Sequence, residues 1–150
     1  MAEEVLTTQR LNDVLILTLN RPEALNALNP ALMLAIEAFG RSMLSDPARV
    51  LVIRGAGRHF CAGADLKAIN SGQAAALNTK RGGFGGFVYR DRKKPVIAAV
   101  DGLATAGGCE LVLACDMLVA TTRSAFGLAE ATRNLIAGAG GLFRLPRAIG

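Results

Sequence analysis

The stretch AGGCELVLACD, residues 106–116, sets a carboxylate, Glu110, near the start of a run apolar enough to pack in an interior, with no basic residue among its members. From Gly102 onward the only side-chain carboxyls are Glu110, Asp116 and Glu130, and both glutamates sit in apolar surroundings beside glycine turns. Burial disfavours an ionised carboxyl and raises its pKa, which suits such a glutamate to acid or base work near neutral pH. On the residues alone two other roles stay open. Glu110 could be half of a buried ion pair with an arginine such as Arg123, Arg133 or Arg144, and Glu130 could be a solvated loop residue.

Two turns built from small residues could supply a second kind of chemistry. RGAGRHFCAGADLK, residues 54–67, has neither the GxxxxGK[ST] nor the helix-opening GxGxxG pattern of a phosphate loop. Its Ala62-Gly63-Ala64-Asp65-Leu66 core instead runs small side chains into a helix start, where backbone amides lack internal partners and a ligand can approach closely. GLATAGGCEL, residues 102–111, repeats that logic with Gly107 and Gly108 before a helix. Two such turns can aim two amides at one oxygen, the requirement for stabilising an oxyanion. A tight strand-to-helix turn is the plainer reading of each.

The remaining reactive residue types argue mostly for packing. Cys61, Cys109 and Cys115 show no CxxC spacing and His59 is the only histidine, so neither a disulfide framework nor a metal site is expected. His59 and Cys61 are same-face neighbours on an extended segment, read as packed and reduced rather than as base and nucleophile. KRGGFGGFVYRDRKK, residues 80–94, interleaves Phe84, Phe87 and Tyr89 with six basic residues. Such a run fits single-stranded nucleic acid, the phosphates and base of a nucleotide-like cofactor, or a solvated face.

The elements that must position these groups fit one domain. The chain has 150 residues, 51% of them hydrophobic, and a net charge of +5 that favours anionic partners. MAEEVLTTQR lacks the pattern of a secretory signal, and no apolar run reaches about 18 residues, so a cytoplasmic protein without a membrane span is expected. A hairpin is read over Val5–Gln9 and Val14–Leu19, turning at Asn12 and Asp13. Asn29-Pro30 opens a helix whose Leu32, Ile36, Phe39 and Met43 form a core stripe, ended by Asp46-Pro47. Val50–Ile53, Pro95–Val100 and Met117–Thr121 read as largely buried strands, giving an α/β protein. Residues 68–87, with five glycines, are expected to be mobile, and no internal repeat at a fixed period is visible.

Taken together and in order, LNRPEALNALN (19–29), HFCAGADLK (59–67), KPVIAAVDGLATAGGCELVLACD (94–116), FGLAEA (126–131) and GAGGLFRLPRAIG (138–150) resemble the crotonase superfamily, the enoyl-CoA hydratases and isomerases. The resemblance implies a crotonase-like spiral of ββα units over residues 1–150, without the C-terminal helical part that closes the CoA pocket and builds a homotrimer or hexamer. It implies an oxyanion hole from the amides of Ala64 and Gly107, Glu110 and Glu130 as the acid–base pair around a water, and CoA running past Ala24, Ala62, Ala64, Asp65, Leu66, Lys67 and Gly107. The implied substrate is a coenzyme A thioester, with no prosthetic group and no metal.

The implied reaction is addition of water to a 2-enoyl-CoA. Same-fold alternatives are double-bond isomerisation, dehydration of a hydroxyacyl-CoA and thioester hydrolysis, and the glycine-rich segments are similar to members acting on carnitine-type acyl-CoAs. The sequence departs from the family at Ala106, where many members have glycine, at Leu128-Ala129 in place of Gln-Pro, and at Ala137 in place of proline. These positions line or brace the acyl pocket. From other classes, RNA binding through residues 80–94 and CoA binding without turnover remain alternatives.

Overall fold

A computed structural model describes residues 4–150. The chain opens with the antiparallel hairpin β1 (Leu6–Leu11) and β2 (Val14–Leu19), turning at Asn12, whose φ of 52° an asparagine tolerates. Helix α1 (Pro30–Ser42) begins as its sequence dictates: the Asn29 side chain accepts from the Leu32 amide at 2.9 Å and proline fills the first helical position. Leu32 and Ile36 are buried on its inner stripe, with Phe39 and Met43 packed against the core. The helix closes at Ser42, ahead of Asp46-Pro47, in hydrogen-bonded turns through Ser45.

Strands β3 (Val50–Gly55), β6 (Val96–Val100) and β8 (Met117–Ala120) extend the sheet in parallel, giving the order β1-β2-β3-β6-β8. Between β3 and β6 lie α2 (Leu66–Asn70) and a two-residue ladder of β4 (Asn78–Thr79) with β5 (Gly83–Phe84). Strand β7 (Leu103–Thr105) leads into α3 (Gly107–Leu113), and β9 (Ala125–Gly127) into a 3-10 turn at Glu130–Arg133 and helix α4 (Gly141–Ile149).

These elements fall into a repeated unit. Each long strand of the sheet is followed by a short extended segment in a second layer and then by a helix or 3-10 turn. The second layer is tied in parallel by the bridges Leu28–Ala64 and Cys61–Ala104 and by the β7–β9 pair. The successive long strands begin at Val14, Val50, Val96 and Met117, so the structural repeat has no fixed length and leaves no period in the sequence.

The core lies between the sheet and this second layer, where Leu17, Leu19, Ile53, Phe60, Val96 and Leu111 are excluded from solvent. The expectation of largely buried strands needs correction at the edges. Strands β2, β3 and β6 bury one face, whereas β1 is mostly exposed and β8 entirely so, because an edge strand has a neighbour on one side only. Residues 68–87, expected to be mobile, are folded: Leu77 and Phe87 are buried and Phe84 packs on the core, so three apolar anchors outweigh the glycines around them. Strands β7 and β9 and helix α4 are further elements that composition did not reveal, the strands because three residues carry too little alternation to read.

Candidate active site

The two small-residue turns are brought edge to edge by backbone bonds. Phe60 and Cys61 amides donate to Leu103 O at 3.0 and 3.1 Å, and Thr105 N donates to Cys61 O at 3.1 Å. On the other side Leu28 N donates to Gly63 O at 2.7 Å and Asp65 N to Leu28 O at 2.9 Å. Asn26, fully buried, secures the approach: its amide group donates to Ala56 O and His59 O, and its oxygen accepts from Arg21 N, all at 2.9 Å. Gly63 has φ +91° and sits so close to the second turn that a Cβ there would lie 2.8 Å from Gly107 N. Neither the Ala64 nor the Gly107 amide is used in a turn, cap or loop hydrogen bond among the described residues. Gly107 is the first residue of α3, where no preceding carbonyl is available to its N–H.

Glu110 sits in the first turn of α3, only 3% exposed, and meets no arginine. Arg123 is bidentate on Asp101 at 2.7 and 2.6 Å, holding that carboxyl down at about 2, and Arg144 donates to Ala139 O and Val88 O. The ion pair considered for Glu110 is therefore not made. Its Oε1 accepts instead from Gly141 N, the first amide of α4, at 2.9 Å. Burial pushes the Glu110 carboxyl upward, the Gly141 amide pulls it back, and the neighbouring charge of Glu130 raises it further.

Glu130 is not a solvated loop residue. It begins the 3-10 turn after β9, is 8% exposed, and its Oε2 is buried with no hydrogen-bond partner. An unsatisfied buried carboxylate oxygen costs free energy unless a ligand supplies the missing donor.

Both glutamates line one cavity of about 570 Å³, together with Ala62, Ala64, Leu66 and Gly107. That volume suits a small-molecule ligand. Of the residues expected along CoA, Ala24, Asp65 and Lys67 do not line it. Asp65 is occupied in folding: one oxygen caps α2 by accepting from Lys67 N at 3.0 Å, the other pairs with Arg21 at 3.1 Å. Phe84 and Gly141 enter the site in roles that the sequence did not suggest. The Phe84 ring lies over Gly107, close enough that a Cβ on that residue would be 2.4 Å from the ring, and a phenylalanine in a glycine-rich run gives no sign of such placement. A tighter cavity of about 140 Å³ between α1 and residues 90–94 holds neither glutamate.

Other candidates resolve into packing. Cys61 Sγ lies 3.2 Å from Asn26 O, and burial pushes its thiol up to about 12, as it does for Cys115. His59 Nδ1 accepts from Leu103 N at 3.2 Å rather than facing Cys61. Among the described residues no group of three His, Cys, Asp or Glu could hold a metal ion. In the basic run, Arg90 pairs with Glu37 at 2.5 Å, Arg92 donates to Ala114 O at 2.6 Å and stacks on Phe87, and Lys94 donates to Met43 O and Asp46 O. Phe87 is buried and Phe84 lies over Gly107, which leaves Tyr89, with Arg144 over its ring, as the exposed aromatic of the run.

Comparison with known proteins shows the family of the chain. Residues 9–150 match the enoyl-CoA hydratase/isomerase family. The chain is 45% identical to mevalonyl-coenzyme A hydratase of Beauveria bassiana over 91% of its own length and 53% of that protein's. It is 40% identical to carnitinyl-CoA dehydratase of Proteus mirabilis over 98% of the chain and 57% of the relative. Its fold superimposes on enoyl-CoA hydratase of Mycobacterium tuberculosis with a TM-score of 0.90 at 42% identity, covering 97% of this chain and 57% of that one. The chain thus spans just over half the length of the relatives it matches.

Proposed function

The chain belongs to the enoyl-CoA hydratase/isomerase family, and from that premise we propose that the protein adds water reversibly to the double bond of a 2-enoyl-CoA. The observation that carries this reading is the buried, unpartnered Oε2 of Glu130 in a cavity shared with Glu110 and with the Ala64 and Gly107 residues. The thioester oxygen lies between the amides of Ala64 and Gly107, which stabilise the negative charge it gains as water adds at Cβ. Glu110, fixed by the Gly141 amide, and Glu130 hold the water between them. As its oxygen bonds to Cβ, water loses one proton to the Glu130 carboxylate, which delivers it to Cα, so the elements of water are added and both glutamates end as they began.

The substrate is carried as a coenzyme A thioester, and the reaction as proposed calls for no prosthetic group or metal. CoA passes Ala62, Ala64, Leu66 and Gly107, which line the cavity, with Ala24, Asp65 and Lys67 outside it. The reverse reaction, dehydration of a hydroxyacyl-CoA, uses the same groups, and likeness to a relative named carnitinyl-CoA dehydratase supports it. A homotrimer or hexamer belongs to the same reading for a chain that carries the family's C-terminal helical part. It is supported by apolar side chains exposed on β8 and α4, among them Met117, Val119, Leu142 and Ile149; a monomer mass by light scattering contradicts it. A cytoplasmic location is in keeping with three cysteines that remain free.

Turnover of crotonyl-CoA in ¹⁸O-labelled water tests the reaction. Hydration places the label on the hydroxyl carbon of 3-hydroxybutyryl-CoA. Label in a released free acid, or a shifted double bond without label, contradicts it.

A further inference from the structure

The cavity between α1 and residues 90–94 is apolar inside and bordered by charge. Its floor is the sheet: Leu17 of β2, Leu51 of β3 and Val96 of β6, all buried. Ile36, Phe39 and Met43 of α1 form one wall, and Phe87 faces them. Its volume of about 140 Å³ suits an apolar group of about six carbons, since an apolar cavity of about 150 Å³ holds benzene.

The long side chains at the border are fastened there by bonds to other parts of the chain. Arg90 runs past Gly40, where a Cβ would lie 2.5 Å from its Nε, and pairs with Glu37. Arg92 stacks on the Phe87 ring at 4.7 Å and donates to Ala114 O, with Asp116 at 3.8 Å. Lys94 donates to Met43 O at 3.0 Å and to Asp46 O, while the Asp46 carboxylate is taken by Arg10 at 2.8 and 2.7 Å. An ammonium has three donors, so Lys94 keeps one to offer. Lys93 is exposed, and neither lysine is ion-paired among the described residues. Against these two cations stands one unpaired acid of the border, the exposed Asp91.

We propose that this cavity binds a short-chain fatty acid, its hydrocarbon chain between α1 and the sheet and its carboxylate at the border against Lys93 and Lys94. Apolar walls reward the chain and the two lysines reward the anion, so neither an alcohol of the same length nor a shorter acid satisfies both. The site is separate from the cavity of Glu110 and Glu130, and the proposal stands independently of the hydratase reading.

NMR of protein labelled with ¹³C in the methionine methyl groups tests it, because Met43 is one of four methionines and lines this cavity; Met43→Leu assigns its signal. Hexanoate shifts the Met43 methyl saturably, with a Kd on the order of 1 mM for so small a ligand, and saturating coenzyme A leaves that titration unchanged. Acetate gives no shift, and 1-hexanol binds about 5-fold more weakly than hexanoate. Lys93→Ala weakens hexanoate about 3- to 5-fold, the scale of one exposed charge pair, and leaves 1-hexanol as it was. No Met43 shift at about ten times the expected Kd, or a shift that coenzyme A abolishes, overturns the site. Equal affinity for hexanoate and 1-hexanol, or hexanoate binding unchanged in Lys93→Ala, overturns the assignment of a fatty acid to it.

Discussion

Glu110 shows how the proposed function and stability pull against each other in one side chain. Burial raises its carboxyl pKa above the ordinary value of 4.5. A group raised in this way favours the folded state fully below its unfolded pKa, and that contribution is lost as pH rises through the folded value. At neutral pH an ionised Glu110 therefore weakens the fold. Glu110→Gln keeps an acceptor for Gly141 N and carries no charge, so it melts above wild type at pH 7, the difference closing as pH falls below roughly 4.5. Thermal melts across pH check this; a lower melting temperature for the variant at pH 7 contradicts it. The two glutamates stood out in sequence because carboxylates are scarce after Gly102, and the structure brings both to one cavity. The family resemblance runs CoA past Asp65 and Lys67, and in the structure a helix cap and the pair with Arg21 engage the Asp65 carboxylate. No spacing rule foretells a partner forty-four residues away.

At the scale of elements, the segment over the site is held by a buried pair that neither residue type announces. Arg90 meets Glu37 of α1, with side chains 10% and 11% exposed, and Thr79 donates to the same carboxylate oxygen at 2.8 Å. This cluster anchors β4, β5 and Phe84, and it holds the Glu37 carboxyl below its ordinary range, chiefly through the Arg90 hydrogen bond. Arg90→Ala leaves a buried carboxylate without its partner and costs about 3 kcal/mol by denaturant unfolding, with faster amide exchange over residues 78–88. An unchanged midpoint contradicts that assignment. The long helix and the apolar strands were readable because their caps and periodicity are local. The short second-layer strands were not, since β7 and β9 owe their conformation to each other across twenty-two residues.

Over the whole molecule, the ββα unit recurs four times with unequal spacing, and every proposed site group lies just beyond a second-layer strand or bridge: Ala64, then Gly107 and Glu110, then Glu130. Stacking the units brings together residues that are far apart in sequence, which is how a spiral of this kind assembles one cavity from several turns. The family was legible from the ordered motifs, whereas the contacts between turns belong to the three-dimensional stack alone. The central claim is that Glu110 and Glu130 act together on water in that cavity. Its most direct test is the initial rate of loss of enoyl-thioester absorbance from crotonyl-CoA by wild type, Glu110→Gln and Glu130→Gln. Rapid loss is expected for wild type and a fall of about 10²- to 10⁴-fold in each variant. Turnover unchanged in both variants contradicts it.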